Sequence, residues 1–466
     1  MRYVSTRGAA PALDFEGALI AGLAADGGLY LPEAWPSFGP DELRQLRGLA
    51  YPEAAARIMA PYTTGCFTLE ELRELAGRAY AGFGHAAVAP LRQLGPNDWL
   101  LELTHGPTLA FKDYALQLVG LLFDRVLARR GERLTIIGAT SGDTGAAAIA
   151  ACEGRANLQV FILYPEGRLS EVQRRQMTTV SAPNVHAVAI EGTFDDCQDI
   201  VKALFAERGF RQEARLAAVN SINWARVMAQ IVYYMTSAVA LGAPDRAVAF
   251  SVPSGNFGNV FAGFAALQMG LPVERLIVGS NRNDVLTRFF DTGAMSLGPV
   301  HPTLSPSMDI QVSSNFERFL FELYDRDGAA VAGLLGKLRK EGRFKVSDER
   351  LKQARRWFAA ARFDDEETLR GVARIHRRTG VVVDPHTAVG ILAAEARRPA
   401  PEVPVIQLAT ADPAKFPDAV QKATGLTPEL PAALADLHRR PERRHLLPND
   451  ARAVRDYISA RLREAA

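Results

Sequence analysis

A short β-rich run, a turn and a helix-forming stretch follow one another repeatedly through the middle of this chain. Residues 134–138 lead through Ser141-Gly142-Asp143-Thr144-Gly145 into the helix-forming run 146–152. Residues 160–164 lead to a helix over 170–177. Residues 185–190 lead, with Thr193 as N-cap, to a helix ending near 207. Residues 248–252 lead into 260–269, residues 276–279 into a helix near 283–290, and a last strand, 403–408, precedes another helix. Strands alternating with helices in this way build mostly parallel sheets covered on both faces. The expected class is therefore α/β, with mostly parallel sheets, and 466 residues exceed what one small core organises, so two packed domains are expected.

The flanks read differently. Residues 1–95 form a mainly helical N-terminal domain, with helices over 15–23, 41–59 and 69–80; a short strand is expected over 99–103. Residues 96–425 form the core, two α/β subdomains with a helical insertion at about 315–400. Residues 426–466 are a tail of short helices broken at Pro431, Pro441 and Pro448.

Composition narrows the partners. Lys plus Arg is 54 against 52 for Asp plus Glu, a net charge of +2, which gives no long-range field for nucleic acid or an anionic membrane. The uncharged stretch 227–244 is interrupted by Gln230, Thr236 and Ser237 and reads as a buried core helix, not a membrane span. The three cysteines, Cys66, Cys152 and Cys197, have no metal-ligand or redox spacing, and no clustered His, Cys or acidic set suggests a metal. Residues 1–22 lack a cationic start followed by an apolar run, so a cytoplasmic protein is expected.

Parallel sheets bind ligands at the carboxyl ends of their strands. The turn Pro253-Ser254-Gly255-Asn256-Phe257-Gly258-Asn259 follows one strand and opens a helix. Its glycines let several backbone N–H groups converge, and the helix N-terminus adds about half a positive charge, which suits a phosphate. The turn 138–145 offers the hydroxyls of Thr140, Ser141 and Thr144 and the carboxylate of Asp143, without the Gly-Lys-Ser/Thr ending of a nucleotide P-loop. Lys112 sits in Ala110-Phe111-Lys112-Asp113 against an apolar face, where burial lowers an amine's pKa toward the neutral, nucleophilic form. A phosphate cradle, a second anion turn and an isolated lysine together match a phosphorylated aldehyde cofactor.

At these residues the chain resembles the threonine synthases, in their longer-chain branch, over nearly its whole length. The resemblance runs through Tyr3-Val4-Ser5-Thr6-Arg7-Gly8, residues 23–30, His105 to Asp113, Ala139 to Gly145, Asn220-Ser221-Ile222-Asn223-Trp224-Ala225-Arg226, Gly255 to Asn259, and residues 409–416. It implies the type II pyridoxal-phosphate fold shared with the tryptophan synthase β subunit. It further implies that pyridoxal 5′-phosphate is carried by Lys112 as a Schiff base. Gly255, Asn256, Phe257, Gly258 and Asn259 would hold its phosphate, with Thr410 at the pyridine nitrogen. The implied reaction turns O-phospho-L-homoserine and water into L-threonine and phosphate, with Lys112 moving protons at the α- and β-carbons.

Thr104, Ser141, Asp143, Thr144, Asn223 and Arg226 are the substrate-side candidates. Asn223 and Arg226, one turn apart, are expected to grip one anion jointly. No second protein base is apparent, and the departing phosphate is expected to help activate water. Two departures from the family pattern stand out. Asp412 replaces the usual histidine. Asp143, where many relatives outside this branch have asparagine beside the cofactor's 3′-oxygen, is expected either to stay protonated or to point away. Monomer and homodimer remain open. The alternatives are a related O-phospho-amino-acid phospholyase, a threonine dehydratase or, from another class, a non-catalytic cofactor-binding protein.

Overall fold

A computed structural model of the chain describes residues 1–217 and 222–465, so Asn220 and Ser221 of the resemblance lie outside the described residues. Two sheets carry the fold. The first runs Phe358–Arg362, Val273–Ser280, Val248–Pro253, Val405–Ala409, Asp98–Glu102, Leu91–Gly95 in spatial order. All of its neighbours are parallel except the last pair, which is antiparallel. The second runs His445–Leu447, Val185–Ile190, Leu158–Pro165, Leu134–Ala139, Leu216–Ala217 and is parallel throughout. Val248–Pro253, Val405–Ala409 and Val185–Ile190 are buried at every residue. Each is apolar but for one residue, Ser251, Gln407 or His186, and strands covered on both faces show such near-continuous apolar runs in place of alternation.

Local signals set the helix starts. Thr193 accepts from the Asp196 amide and opens Phe194–Ala206, and Thr68 with Glu71 forms a capping box on Leu69–Tyr80. Most of the uncharged stretch 227–244 lies in the helix Trp224–Ala240, in which every residue but Thr236 and Ala240 is buried. No helix among the described residues is long and apolar enough to cross a membrane. Helices Tyr51–Met59, Lys112–Arg130 and Gly258–Gln268 pack against it, joining the N-terminal region to both sheets in one apolar core. The extreme N-terminus is clamped from the other side. Arg7 donates twice to Glu317 at 3.0 Å, Thr6 donates to it at 2.6 Å, and the buried Arg318 guanidinium donates to the Tyr30 carbonyl.

Several elements differ from the sequence reading. The single helix expected over 41–59 is two, Pro40–Arg44 and Tyr51–Met59, parted at Gly48, whose φ is +72°, and restarted with Pro52 in its first turn. The stretch 315–400 is not wholly helical. Its Phe358–Arg362 segment, alanine-rich and weak in β propensity, is the parallel edge strand of the first sheet. Leu91–Gly95 joins that sheet from within the N-terminal region, where Tyr3–Ser5 and Tyr30–Pro32 also pair. The tail is not a string of short helices either. His445–Leu447 pairs with Val185–Ile190, and Ala451–Glu464 is a 14-residue helix. Val454 and Ile458, both fully buried, dock this helix beside Cys197, Ile200 and Leu204.

Ile458→Ala is expected to destabilise the second sheet's region by about 2 to 5 kcal/mol, the usual cost of an apolar truncation at a buried site. Denaturant unfolding followed by tyrosine and tryptophan fluorescence checks it; an unchanged midpoint means the tail is not part of that core.

Candidate active site

Strands Val248–Pro253 and Val405–Ala409 are neighbours in the first sheet, and the turns that leave their carboxyl ends line one cavity. The starts of helices Lys112–Arg130 and Asp143–Cys152, and Arg226 from helix Trp224–Ala240, close it.

The turn after Val248–Pro253 is built to present donors. The Ser254 hydroxyl accepts from the Phe257 amide at 3.1 Å, while the amides of Gly255, Asn256, Gly258 and Asn259 have no protein acceptor among the described residues. Phe257 is left-handed (φ +60°), a strained position for a bulky residue. Its fully buried ring, with centroids 5.1 Å from Phe316 and 5.5 Å from Phe358, holds it there. Gly255 passes so close to the 306–310 loop that a Cβ would meet the Met308 Cα and Ile310 Cγ1 at 3.0 Å. Asn259 is oriented from behind. Its Oδ1 accepts from Tyr233 at 2.6 Å and from Tyr234 at 2.9 Å, leaving its buried Nδ2 without a protein partner.

Lys112 begins its helix and is buried, its Nζ 5.2 Å from the Phe111 ring centroid. Desolvation lowers its pKa; nearby Asp143 opposes that, while Lys415 and Arg226 reinforce it. Asp143 turns toward Lys112. Its Oδ2 is 3.2 Å from Lys112 Nζ, and its Oδ1 is 2.8 Å from Lys415 Nζ and accepts from Gln173 Nε2 at 2.9 Å. Burial alone would raise Asp143, but the two ammonium groups outweigh it and hold the carboxyl well below its usual range. The approach of Gln173 requires a glycine at 142. A Cβ there would lie 2.6 Å from the Gln173 amide, and φ is +136°.

Arg226 is buried, and its Nε and Nη1 have no hydrogen-bond partner. Burial lowers its pKa to about 10. Asn223 is occupied elsewhere. Its Oδ1 caps the helix by accepting from the Ala225 amide, and its Nδ2 donates to the Leu19 carbonyl. The expected joint grip on one anion is corrected for that reason. Thr144, Asn256 and Thr410 line the cavity; Thr104 and Ser141 do not. In the second turn it is Thr140 that organises the backbone, its Oγ1 accepting from the amides of Gly142 and Gly145.

Two features escaped the sequence reading. Lys415, fully buried, comes from the 3₁₀ turn Pro413–Lys415, which Asp412 caps by accepting from the Ala414 amide. Asp412 does not line the cavity. His386 does, a histidine that the sequence reading did not name. Its Nδ1 lies 2.6 Å from buried Asp384, and its Nε2 accepts from the Ser307 amide at 3.2 Å. The signal was Asp384-Pro385-His386-Thr387, an aspartate N-cap with histidine in the first turn of a helix facing the sheet.

The chain was compared with known proteins. Family models described as "Threonine synthase N terminus", "Pyridoxal-phosphate dependent enzyme" and "Threonine synthase, C-terminal" match residues 2–80, 85–359 and 387–458. A threonine synthase from Pseudomonas aeruginosa is 55% identical over 460 residues, 98% of either chain. The chain belongs to the threonine synthase family. Its fold is that of solved threonine synthases. The pyridoxal-phosphate-bound enzyme from Brucella melitensis superposes with a TM-score of 0.97 at 51% identity, and the yeast enzyme with 0.94 at 39%, each over 99% of both chains. The type II pyridoxal-phosphate fold is thereby established for this family member, as is its class, a pyridoxal-phosphate-dependent lyase. The cavity fits that cofactor on its own chemistry: a buried amine of lowered pKa, acceptor-free amides at a helix start and the unpartnered Asn259 Nδ2 are the donors an aldehyde phosphate needs.

Asn256→Asp is expected to weaken retention of pyridoxal phosphate by roughly ten- to a hundredfold, about 1 to 3 kcal/mol of like-charge repulsion at a partly screened distance. Dialysis followed by cofactor titration measures it; unchanged affinity means that this turn does not face the phosphate.

Proposed function

We propose that this chain converts O-phospho-L-homoserine and water into L-threonine and phosphate, as a cytoplasmic enzyme in which Lys112 carries the cofactor as a Schiff base. One observation carries the reading. A single cavity holds an amine of lowered pKa between two separate sets of unpartnered donors, the 255–259 turn and Arg226. A site for two phosphates around one amine needs that arrangement.

In this reading Lys112 would hold the cofactor through Nζ, the amides of Gly255, Asn256, Gly258 and Asn259 with Asn259 Nδ2 its phosphate, and Thr410 its pyridine nitrogen. When bound, pyridoxal phosphate supplies an electron sink for charge at the substrate's α-carbon, moderated by a neutral hydroxyl at the ring nitrogen. Lys112 Nζ, once free, would take a proton from the α-carbon, hand it on to the group that supplies the sink and, neutral again, take one from the β-carbon. The γ-carbon–oxygen bond breaks and phosphate leaves with its electron pair. A proton goes to the γ-carbon, water adds its oxygen to the β-carbon with loss of one proton, and the α-carbon regains its own. Asp143 steadies Nζ at 3.2 Å between these transfers. Arg226 holds the substrate's phosphate or carboxylate through the nitrogens that have no protein partner. His386, fixed by Asp384, keeps Ser307 of the adjoining loop at the cavity wall.

Purified holoenzyme given O-phospho-L-homoserine is expected to release threonine and phosphate in equal amounts; 2-oxobutyrate and ammonia without threonine would replace this reading by a dehydratase or phospholyase. Lys112→Ala is expected to abolish turnover, and borohydride is expected to fix the cofactor of the unaltered protein to the Lys112 peptide. Label on another lysine refutes the assignment. Arg226→Lys is expected to raise KM for the substrate strongly with the cofactor spectrum unchanged. The scale is about 2 to 5 kcal/mol when one partner of a buried charged pair is lost. Wild-type KM in both Arg226→Lys and Arg226→Ala removes Arg226 from the site.

A further inference from the structure

Lys415 has no part in the chemistry above, yet its charge is among the most deeply buried in the molecule, with no exposed surface. Its Nζ is 2.8 Å from Asp143 Oδ1 and donates to the Thr108 carbonyl at 2.7 Å. Asp143 Oδ2 meets Lys112 Nζ at 3.2 Å, so one carboxylate bridges two ammonium groups. Gln173 on Oδ1 at 2.9 Å and Ser307 on Oδ2 at 3.3 Å complete its acceptor shell. The cap that Asp412 places on Pro413–Lys415 holds the second lysine in position.

We propose that Lys415 is the standing counter-charge of Asp143 and that, through it, Lys415 sets how readily the nitrogen of Lys112 gives up its proton. It is a positioning residue for the catalytic lysine, and the proposal rests on the reading of Lys112 as the cofactor lysine. A buried carboxylate with Lys112 as its one cation would be stranded whenever that nitrogen became neutral. A stranded buried charge is strongly unfavourable, so the carboxylate would keep the proton on Lys112. With Lys415 in place, Asp143 stays paired whatever state Lys112 is in. The second ammonium also repels a proton on Lys112, as Arg226 does from helix Trp224–Ala240. The remaining charges around the pair are fixed by other partners. Asp113 receives the Thr108 amide and hydroxyl, Asp412 the Ala414 amide, and His386 reaches Asp143 only through Ser307 and is itself tied to Asp384.

The test is the pH titration of the bound cofactor's visible absorption between pH 5 and 10, in the holoenzyme and in Lys415→Met, Asp143→Asn and the double variant. The spectrum reports the proton on the nitrogen joined to the cofactor, and turnover is not needed. In Lys415→Met the midpoint is expected to rise by about one pH unit or more, because Asp143 then leans on that nitrogen alone. Adding Asp143→Asn to Lys415→Met is expected to bring it back down. If Lys415→Met does not fold, Lys415→Gln against the unaltered holoenzyme reads the same effect. The midpoint is expected to lie about a unit lower where Lys415 is present. Equal midpoints in those two proteins, or a spectrum that does not change with pH in any of the four, overturn the proposal; a lysine that merely clips the 413–415 turn to Thr108 would leave the midpoints together. Borohydride labelling of each protein separates the two readings. Label away from Lys112 removes the cofactor-lysine assignment, whereas label on Lys112 with coincident midpoints removes the role of Lys415 alone.

Discussion

The site depends on burying an amine next to a carboxylate without letting the carboxylate keep the amine's proton. Lys112 and Asp143 are both nearly inaccessible to water. Burial makes the amine easier to deprotonate and the carboxyl harder, and their attraction acts the other way on both. The outcome is set by which further charges share the space, and the structure brings in Lys415 and Arg226, both cationic. Desolvating each ion costs several kcal/mol even after relaxation. The surrounding core, continuous from the N-terminal helices through both sheets, must offset that cost.

Helix Trp224–Ala240 links that core to the site. It packs against helices from the N-terminal region and from both sheet-bearing parts. From the same helix Arg226 enters the cavity, and Tyr233 and Tyr234 point their hydroxyls at Asn259. Those two hydrogen bonds decide which end of the Asn259 amide is left for a ligand. The Tyr233 oxygen also lies 3.2 Å from Gln230 Oε1, and Gln230 Nε2 donates to the Arg226 carbonyl. A shift of this helix would disturb the arginine, the asparagine and the core together, so the groups that receive anions are preorganised by packing.

The parts legible in the sequence were those with a local cause. Near-continuous apolar runs marked the doubly covered strands, Thr193 marked a helix start, and the glycine-bearing turn after Val252 marked the donor-rich segment. Phe358–Arg362 was not legible, because an alanine-rich edge strand owes its conformation to the neighbour it pairs with. The same holds for His445–Leu447, a three-residue strand in a proline-punctuated tail. In the site, Asn223 was misjudged because helix spacing places it near Arg226 but says nothing of Leu19, which takes its amide. The two cations on Asp143 were not legible together, since the second lies 272 positions away in sequence, at Lys415.

The count of charges gives the arrangement its sense. In the proposed reaction the cavity receives a cofactor phosphate, a substrate phosphate and a carboxylate, yet Asp143 cancels one of the two lysines and the cofactor engages the other. That leaves Arg226 as the cation without a protein counter-charge among the described residues lining the cavity. Backbone amides and the Asn259 side chain are therefore well suited to the phosphate that stays. Neutral dipoles fixed by a strained turn stabilise an anion without adding a cation that would compete for the carboxylate beside Lys112. The lone arginine is then available to an anion that must come and go, and its own lowered pKa reflects how much it gains when one arrives.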